Sequence, residues 1–432
     1  MVQTSLTVWA NDRVLLWQIY NLQSETCLNA LNGNGAEECY TLPWSSTQET
    51  NMHFTLTVEQ DLIRRTVREF AEKEIAPQAR YIDETGHFPA ATFARMGQLG
   101  LMGLPFPEEY GGAGADSIST AIAIEEVARV CGSTAIAYAA HMGLGSAPIA
   151  MFGTDEQKQR FLAPAARGEH IGAFGLTEPH AGSDAGATRT TAVLEGDEWV
   201  INGQKMWITN APIAGHLIVT AVTDRERGKR GISSIIIPGG TKGLSFGKPE
   251  HKMGLRGSLT TAVMLEDVRV PQANLLGERG KGFVQFLHVL DGGRVGIAAM
   301  AVGLAQGAYE AAVRYARERE AFGKPIGAHQ SVANMVADME VAVETSRLYV
   351  YRAAWLKDQG KPYSREAAIA KLYASEASER VCRDAVQILG GYGYSQEFPV
   401  ERMYRDTRLL TIGEGTSEIL RNVIAHSVLG LR

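Results

Sequence analysis

The chain is short of cysteine, of net charge and of long apolar runs, and each shortage removes a class of function. Its 432 residues contain four cysteines, Cys27, Cys39, Cys131 and Cys382, with no C-x-x-C pair among them. Neither a zinc site nor a disulfide framework is indicated, no metal is expected, and a reducing compartment is the default. Lys and Arg number 42 against 48 Asp and Glu, a formal charge of −6. Such mild acidity gives no electrostatic footprint for nucleic acid or an anionic membrane. No stretch approaches the roughly 18 uninterrupted apolar residues that a membrane-spanning helix needs. What is present is 45% hydrophobic residues, too apolar for disorder and too long for one core, so two or three globular domains are expected.

The acidity is unevenly placed. Residues 1–51 hold one basic residue, Arg13, against five acidic ones, together with Trp9, Trp17 and Trp44 out of six tryptophans. This leader has neither the positive start and apolar core of a secretory signal nor the Arg-rich, acid-poor composition of a mitochondrial presequence. It reads as a weakly ordered extension of unknown role or an over-long start, with Met52 an alternative first residue.

From Thr57 the texture changes. Thr57 and Gln60 have capping-box spacing, and Leu62, Val67, Phe70, Ala71 and Ile75 recur at helical intervals. Helices are expected from about Pro89 to Gly100, twice across Ser117 to Phe152, and from the Thr154/Gln157 cap to about Gly168. From His170 to Pro271 the period becomes two. Tight turns at Gly196-Asp197 and Asn202-Gly203 predict an antiparallel β domain, a sandwich or barrel rather than a parallel sheet. After Gly282 four helices are expected, Phe283 to Arg319, Gln330 to Gln359, Ser364 to Leu389 and Thr416 to Leu429, the first kinked or interrupted at Gly292-Gly293. The fold class is α+β: an N-terminal helical domain over 52–171, a middle antiparallel β domain over 172–281 and a C-terminal four-helix bundle over 282–432.

Forty-six glycines produce chance matches to phosphate motifs, but Gly112-Ala-Gly114 and Gly143-Leu-Gly145 each lack a third glycine and a strand-to-helix setting. No Rossmann, P-loop, H-E-x-x-H or G-x-S-x-G signature survives. Four dense segments remain. GAFGLTEPHAGSDAGATRTT (172–191) surrounds hydroxyls with glycines, as either an anion-cradling nest or a capped tight turn would. In KMWITN (205–210), Trp207 is either core or a flat cover for an aromatic cofactor beside Thr209. In TIGEGTSEILR (411–421), Glu414 stands on a glycine-flanked turn among apolar neighbours. It is either a carboxylate whose pKa desolvation raises, suited to a general base, or a solvated loop residue. Arg319, before a glycine-containing break, and Gln387 with Gly390 and Gly391 either meet phosphate and nucleotide or form a salt-bridged helix end and a C-cap.

LTEPHAGSD, KMWITN, R-x-x-FG, QILGGYGY and EGTSEI, in this order and spacing from about Thr55 to the C-terminus, resemble the acyl-CoA dehydrogenase family. The resemblance implies an FAD-dependent oxidoreductase that converts an acyl-CoA to its trans-2-enoyl-CoA, with Glu414 as the catalytic base. It implies FAD contacts from Phe174, Leu176, Thr177, Ser183, Trp207, Ile208, Thr209 and Thr416. Arg319, Phe322, Gln330, Gln387, Gly390 and Gly391 would clasp the FAD of a neighbouring subunit. Ser183, Asp291, Arg294, Glu414 and Gly415 would contact substrate. A shared cofactor implies an oligomer, a homotetramer by resemblance, with electron-transfer flavoprotein as electron acceptor. LDGGR (290–294) is most like the short-chain, butyryl-type branch, and Gly293 offers no carboxylate where some members carry their base. Gly413 departs from the bulky Tyr of many members, which leaves acyl length and branching open. A bacterial cytoplasm is expected, or the mitochondrial matrix in a eukaryote. The rival readings are an oxidase, a biosynthetic acyl-thioester dehydrogenase and a non-catalytic flavin-binding paralogue.

Overall fold

The computed structural model describes residues 54–431; the extension expected over 1–51 lies outside them. Helices open the described chain, the six longest α-helices being α1 (Val58–Phe70), α2 (Ala79–Thr85), α3 (Ala90–Gln98), α4 (Ser117–Ala128), α5 (Gly132–Ala139) and α6 (Ala147–Phe152). Thr57 and Gln60 form the expected capping box at the start of α1, as Thr154 and Gln157 do further on. Each pair satisfies two backbone donors that a helix end leaves open. α1 turns Val67 and Phe70 inward, while α4 and α5 are buried along most of their length.

An eight-stranded sheet follows: β1 (Ile171–Gly175), β2 (Thr191–Glu195), β3 (Glu198–Thr209), β4 (Ala214–Val222), β5 (Ile232–Pro238), β6 (Leu244–Phe246), β7 (Thr260–Pro271) and β8 (Leu275–Leu276). Its main path runs β6-β7-β3-β2-β4-β5-β8, with β1 also beside β4. Most pairs are antiparallel, but β1 and β4 are parallel, and so is the short β2–β4 contact. The all-antiparallel expectation is corrected there, because the 176–190 excursion after β1 is long enough to free that strand from hairpin geometry. Asn202-Gly203 is not a turn either. It is a bulge inside β3, held by Asn202, whose side chain both donates to Asp267 Oδ1 and accepts its backbone N–H, at 3.0 and 2.8 Å. A Cβ at Gly203 would stand 2.5 Å from Thr190 Oγ1, so only glycine fits this crossing.

The remaining helices are α7 (Gly282–Glu318), α8 (Gln330–Asp358), α9 (Ser364–Leu389), α10 (Pro399–Thr407) and α11 (Ser417–Leu429). α7 is one unbroken helix of 37 residues, so the kink expected at Gly292-Gly293 is absent. Packing along Ala298, Ala301, Ala305 and Ala308 outweighs the modest helix cost of two glycines. α10 went unexpected, although Val400, Met403 and Thr407 are buried along its inner face and Pro399 sits at its favourable first turn. After α7 the chain makes a small hairpin, β9 (Glu320–Ala321) with β10 (Lys324–Pro325). The stretches Gly132–Phe152 and Gly282–Glu318 are long and apolar, with mean hydropathies of 1.2 and 1.3, but 67% of each apolar window is buried within the protein. Both are core helices.

Candidate active site

Three groups of the sequence-derived residues emerge. The first gathers on the turn before α11. Thr416 caps that helix, its hydroxyl accepting the Ile419 N–H at 3.3 Å, and Glu418 lies exposed in the first turn. Just before the cap, Glu414 and Gly415 both have left-handed backbones, φ +52° and +98°. For a residue with a Cβ this costs roughly 1–2 kcal/mol, and it turns the Glu414 side chain inward. There it lies over Gly293 of α7. A Cβ at 293 would collide with Glu414 Oε2 and stand 3.1 Å from the carboxyl carbon. The glycine that was expected to break the helix instead makes room for the carboxylate.

Glu414 Oε2 is buried without a hydrogen-bond partner among the described residues, and so are Arg294 Nε and Ser417 Oγ close by in sequence. Burial pushes the Glu414 carboxyl up to about 7, against the opposing charges of Lys371 and Arg294. Arg294 is itself buried and donates through Nη1 to Asp291 Oδ1 at 2.8 Å; the same oxygen accepts from the Ser364 hydroxyl at 3.0 Å. Lys371 of α9 is fully buried and donates to the Gly415 carbonyl at 2.7 Å. Burial lowers its ammonium pKa to about 8, with Glu414 pulling the other way. Sequence reasoning missed Lys371. The signal was a lysine inside the apolar run AAIAKL, on the helix face that should face the core.

The second group joins β1 to β3. Phe174 stacks on Phe286 of α7, ring centroids 6.1 Å apart. Lys205, buried in β3, donates to the Leu176 carbonyl at 3.1 Å, to Glu178 Oε1 at 2.8 Å and to Thr220 Oγ1 at 3.2 Å, and the Met206 N–H donates to the Thr177 carbonyl at 2.8 Å. This buried pair, also missed from sequence, locks LTEP against KMW. Beyond it, Lys205 pairs with Val263 and Ile208 with Thr261, so β3 carries an extra residue. Trp207 takes the strain at φ +62° and is 56% exposed. That settles one alternative: Trp207 is not core. Ile208, in contrast, packs in the sheet interior, which leaves its backbone as the part able to meet a ligand. Thr209 is half-buried, and Ser183 is exposed in the loop after Glu178.

The third group lies where α7 and α9 end. Arg319, Gly390 and Gly391, with Tyr315, Leu389 and Tyr392, line a cleft of about 560 Å³. Nothing stands within 4 Å of where a Cβ would be at Gly390 or Gly391, so a ligand can approach the backbone directly. Phe322 is 95% exposed with φ +56°. Gln330 opens α8 and Gln387 lies in the last turn of α9, both exposed, and neither belongs to the cleft wall.

The first two groups meet along α7. Phe286 and Gly293 are seven residues apart, so they share one helix face about 10 Å apart along the axis. One end of this face meets Phe174 of β1, just before LTEP, the other the Glu414 carboxylate. An exposed tryptophan on a strained bulge, backbone-lined glycines and three orphaned buried polar atoms suit a large planar cofactor beside a polar substrate.

This fold and site define a flavoprotein oxidoreductase. The chain matches the acyl-CoA dehydrogenase N-terminal domain over residues 57–169, the middle domain over 173–268 and the C-terminal domain over 280–429. It is 56% identical over 379 residues to a probable acyl-CoA dehydrogenase, YngJ, of Bacillus subtilis, covering 88% of this chain and 100% of that one. It is 51% identical over 377 residues to the short-chain specific acyl-CoA dehydrogenase of Clostridium acetobutylicum, covering 87% and 100%. A chain solved in work on the electron transferring flavoprotein of Acidaminococcus fermentans superposes with a TM-score of 0.87 at 47% identity, over 88% of this chain and 100% of its own. The chain belongs to the acyl-CoA dehydrogenase family. It is an FAD-dependent enzyme of that class.

Proposed function

We propose that the enzyme oxidises a short-chain acyl-CoA of the butyryl type to its trans-2-enoyl-CoA, with Glu414 as the base. The reading rests on the Glu414 carboxylate, buried, unpartnered at Oε2 and raised to about 7. A general base works best with a pKa near the operating pH, and a solvated loop glutamate would have none of these properties. Glu414 takes the α-proton, and the electron pair of that C–H bond becomes the Cα=Cβ double bond as a hydride leaves the β-carbon. FAD, when bound, supplies the acceptor for that hydride. Phe174, Leu176, Thr177, Ser183, Trp207, the Ile208 backbone, Thr209 and Thr416 would hold it. Asp291, Arg294 and the Gly415 backbone would hold the thioester and its CoA. Hydrogen bonds to the thioester oxygen, including the base's own backbone N–H, stabilise the developing enolate.

The short-chain reading is supported by the similarity to the Clostridium enzyme. Branching stays within it, because a Cβ at Gly413 would meet only Leu409, at 3.8 Å. The same reading includes electron-transfer flavoprotein as acceptor, supported by the Acidaminococcus likeness. It also includes a homotetramer in which Arg319, Phe322, Gln330, Gln387, Gly390 and Gly391 clasp the FAD of a neighbouring copy, in cytoplasm or matrix. The test is Glu414→Gln. The variant should keep its yellow flavin while anaerobic bleaching by butyryl-CoA slows at least about 100-fold. Full-rate bleaching would end the base assignment.

A further inference from the structure

Lys371 is a cation set inside the apolar face of α9 between Ala370 and Leu372, with no exposed surface. Removing an ammonium from water costs several kcal/mol unless its protons are well placed. Here it donates not to a carboxylate but to the backbone carbonyl of Gly415, at 2.7 Å. That carbonyl closes the two-residue left-handed turn that aims Glu414 over Gly293. A neutral donor would satisfy one carbonyl at far smaller desolvation cost, so the buried charge calls for a second role. The neighbouring anion is Glu414, whose Oε2 accepts from no donor among the described residues.

We propose that Lys371 is a positioning residue of the dehydrogenation: its hydrogen bond fixes the strained turn that carries the base, and its charge, one residue removed, keeps that base ionised. The inference rests on Glu414 being the base. Because the ammonium meets the backbone, the carboxylate stays free to take a proton. A direct ion pair would hold it too firmly. Lys371 feels Glu414 and Glu418 from the turn and the helix after it, Arg294 from α7 and Glu376 on its own helix. Asp291, already engaged with Arg294, completes the set around that arginine. Of these, Arg294 is the other cation acting on Glu414, and the weaker one, so loss of Lys371 removes the larger part of the compensation.

Lys371→Gln keeps an N–H donor and removes the charge, Lys371→Met removes both, and Lys371→Arg keeps the charge. Each is made as the flavin-loaded holoenzyme. The pH dependence of flavin reduction by butyryl-CoA is followed anaerobically, and the ionisation of Glu414 is titrated by infrared difference against Glu414→Gln. Both charge-removing variants should move the acid limb and the infrared midpoint to higher pH by about one unit or more. Lys371→Met should in addition lose about tenfold or more in the alkaline plateau rate through the loosened turn, while Lys371→Arg restores the midpoint. An unmoved midpoint in Lys371→Gln and Lys371→Met overturns the proposal, as does failure of all three variants to fold with flavin, which would make the lysine a structural element alone. Glu414→Gln separates the two readings. If it still reduces at full rate, the base assignment fails. If it is inert while the lysine variants keep the wild-type midpoint, only the role of Lys371 fails.

Discussion

Two buried carboxylates, each served by a buried lysine, take opposite characters in this enzyme. Burial raises the pKa of Glu178, but the charge of Lys205 at 2.8 Å and the N–H groups of Arg189 and Thr190 at 2.8 and 3.1 Å outweigh it, and its pKa falls below the usual value. Glu414 has no such donors and rises to about 7. The two lysines differ far less, for burial draws both down to about 8. Proximity of a cation alone therefore does not set the behaviour of the acid. What separates the two acids is where the lysine's protons go: onto the carboxylate of Glu178 in one pair, onto the Gly415 carbonyl beside Glu414 in the other.

The contrast is broken most severely at the structural pair. Lys205→Met leaves the buried Glu178 charge without its cation beside the sheet, which should cost about 3–5 kcal/mol in urea unfolding, with flavin binding weakened because LTEP and KMW lose their side-chain tie and keep the Met206–Thr177 backbone bond. A loss under about 1 kcal/mol would mean that the pair is dispensable. At Glu414, Gly293→Ala drives a Cβ into the carboxylate. It should slow flavin reduction by about 100-fold through misplacement and leave flavin content unchanged; an unaltered rate contradicts the contact.

The third effect is thermodynamic and depends on pH. Glu414 binds its proton more tightly folded, at about 7, than at its ordinary value of 4.5. The stability it contributes is therefore full below about pH 4.5 and is lost as pH rises through 7. Wild type should lose ground against Glu414→Gln over that window, on the order of 1–3 kcal/mol by pH 8. Denaturation curves at pH 5 and pH 8 read it, and an equal gap at both would refute the raised value. Smallest is Thr416→Ala, which removes the α11 cap and should cost about 1 kcal/mol, seen as a lowered Tm.

Much of this was legible in the sequence because it is local. Capping boxes at Thr57 and Thr154, a cap at Thr416 and the switch from helical to strand period depend on residues a few positions apart. The Glu414 turn was legible for the same reason, since glycines on both sides mark a backbone that must bend. What escaped depends on partners far along the chain. Lys371 looks like a surface lysine until α9 is packed against the α11 turn, and Lys205 with Glu178 spans the whole 176–190 excursion. Asn202-Gly203 reads as a hairpin because nothing local reveals Asp267 and Thr190 across the bulge. Gly292-Gly293 reads as a kink because nothing local reveals the carboxylate that needs the space.

The unbroken course of α7 makes it a ruler. Gly293, under Glu414, and Arg319, which follows its last residue at the cleft, are 26 positions apart, about 40 Å at the rise of an α-helix. One extended dinucleotide cannot reach from one to the other. On the proposed reading, in which the Arg319 cleft clasps FAD, the cofactor whose reactive ring serves Glu414 would meet that cleft on another copy of the chain. Activity would thus belong to the assembly: in a mixture of Glu414→Gln and Arg319→Ala chains, some sites would combine a sound base with a sound clasp.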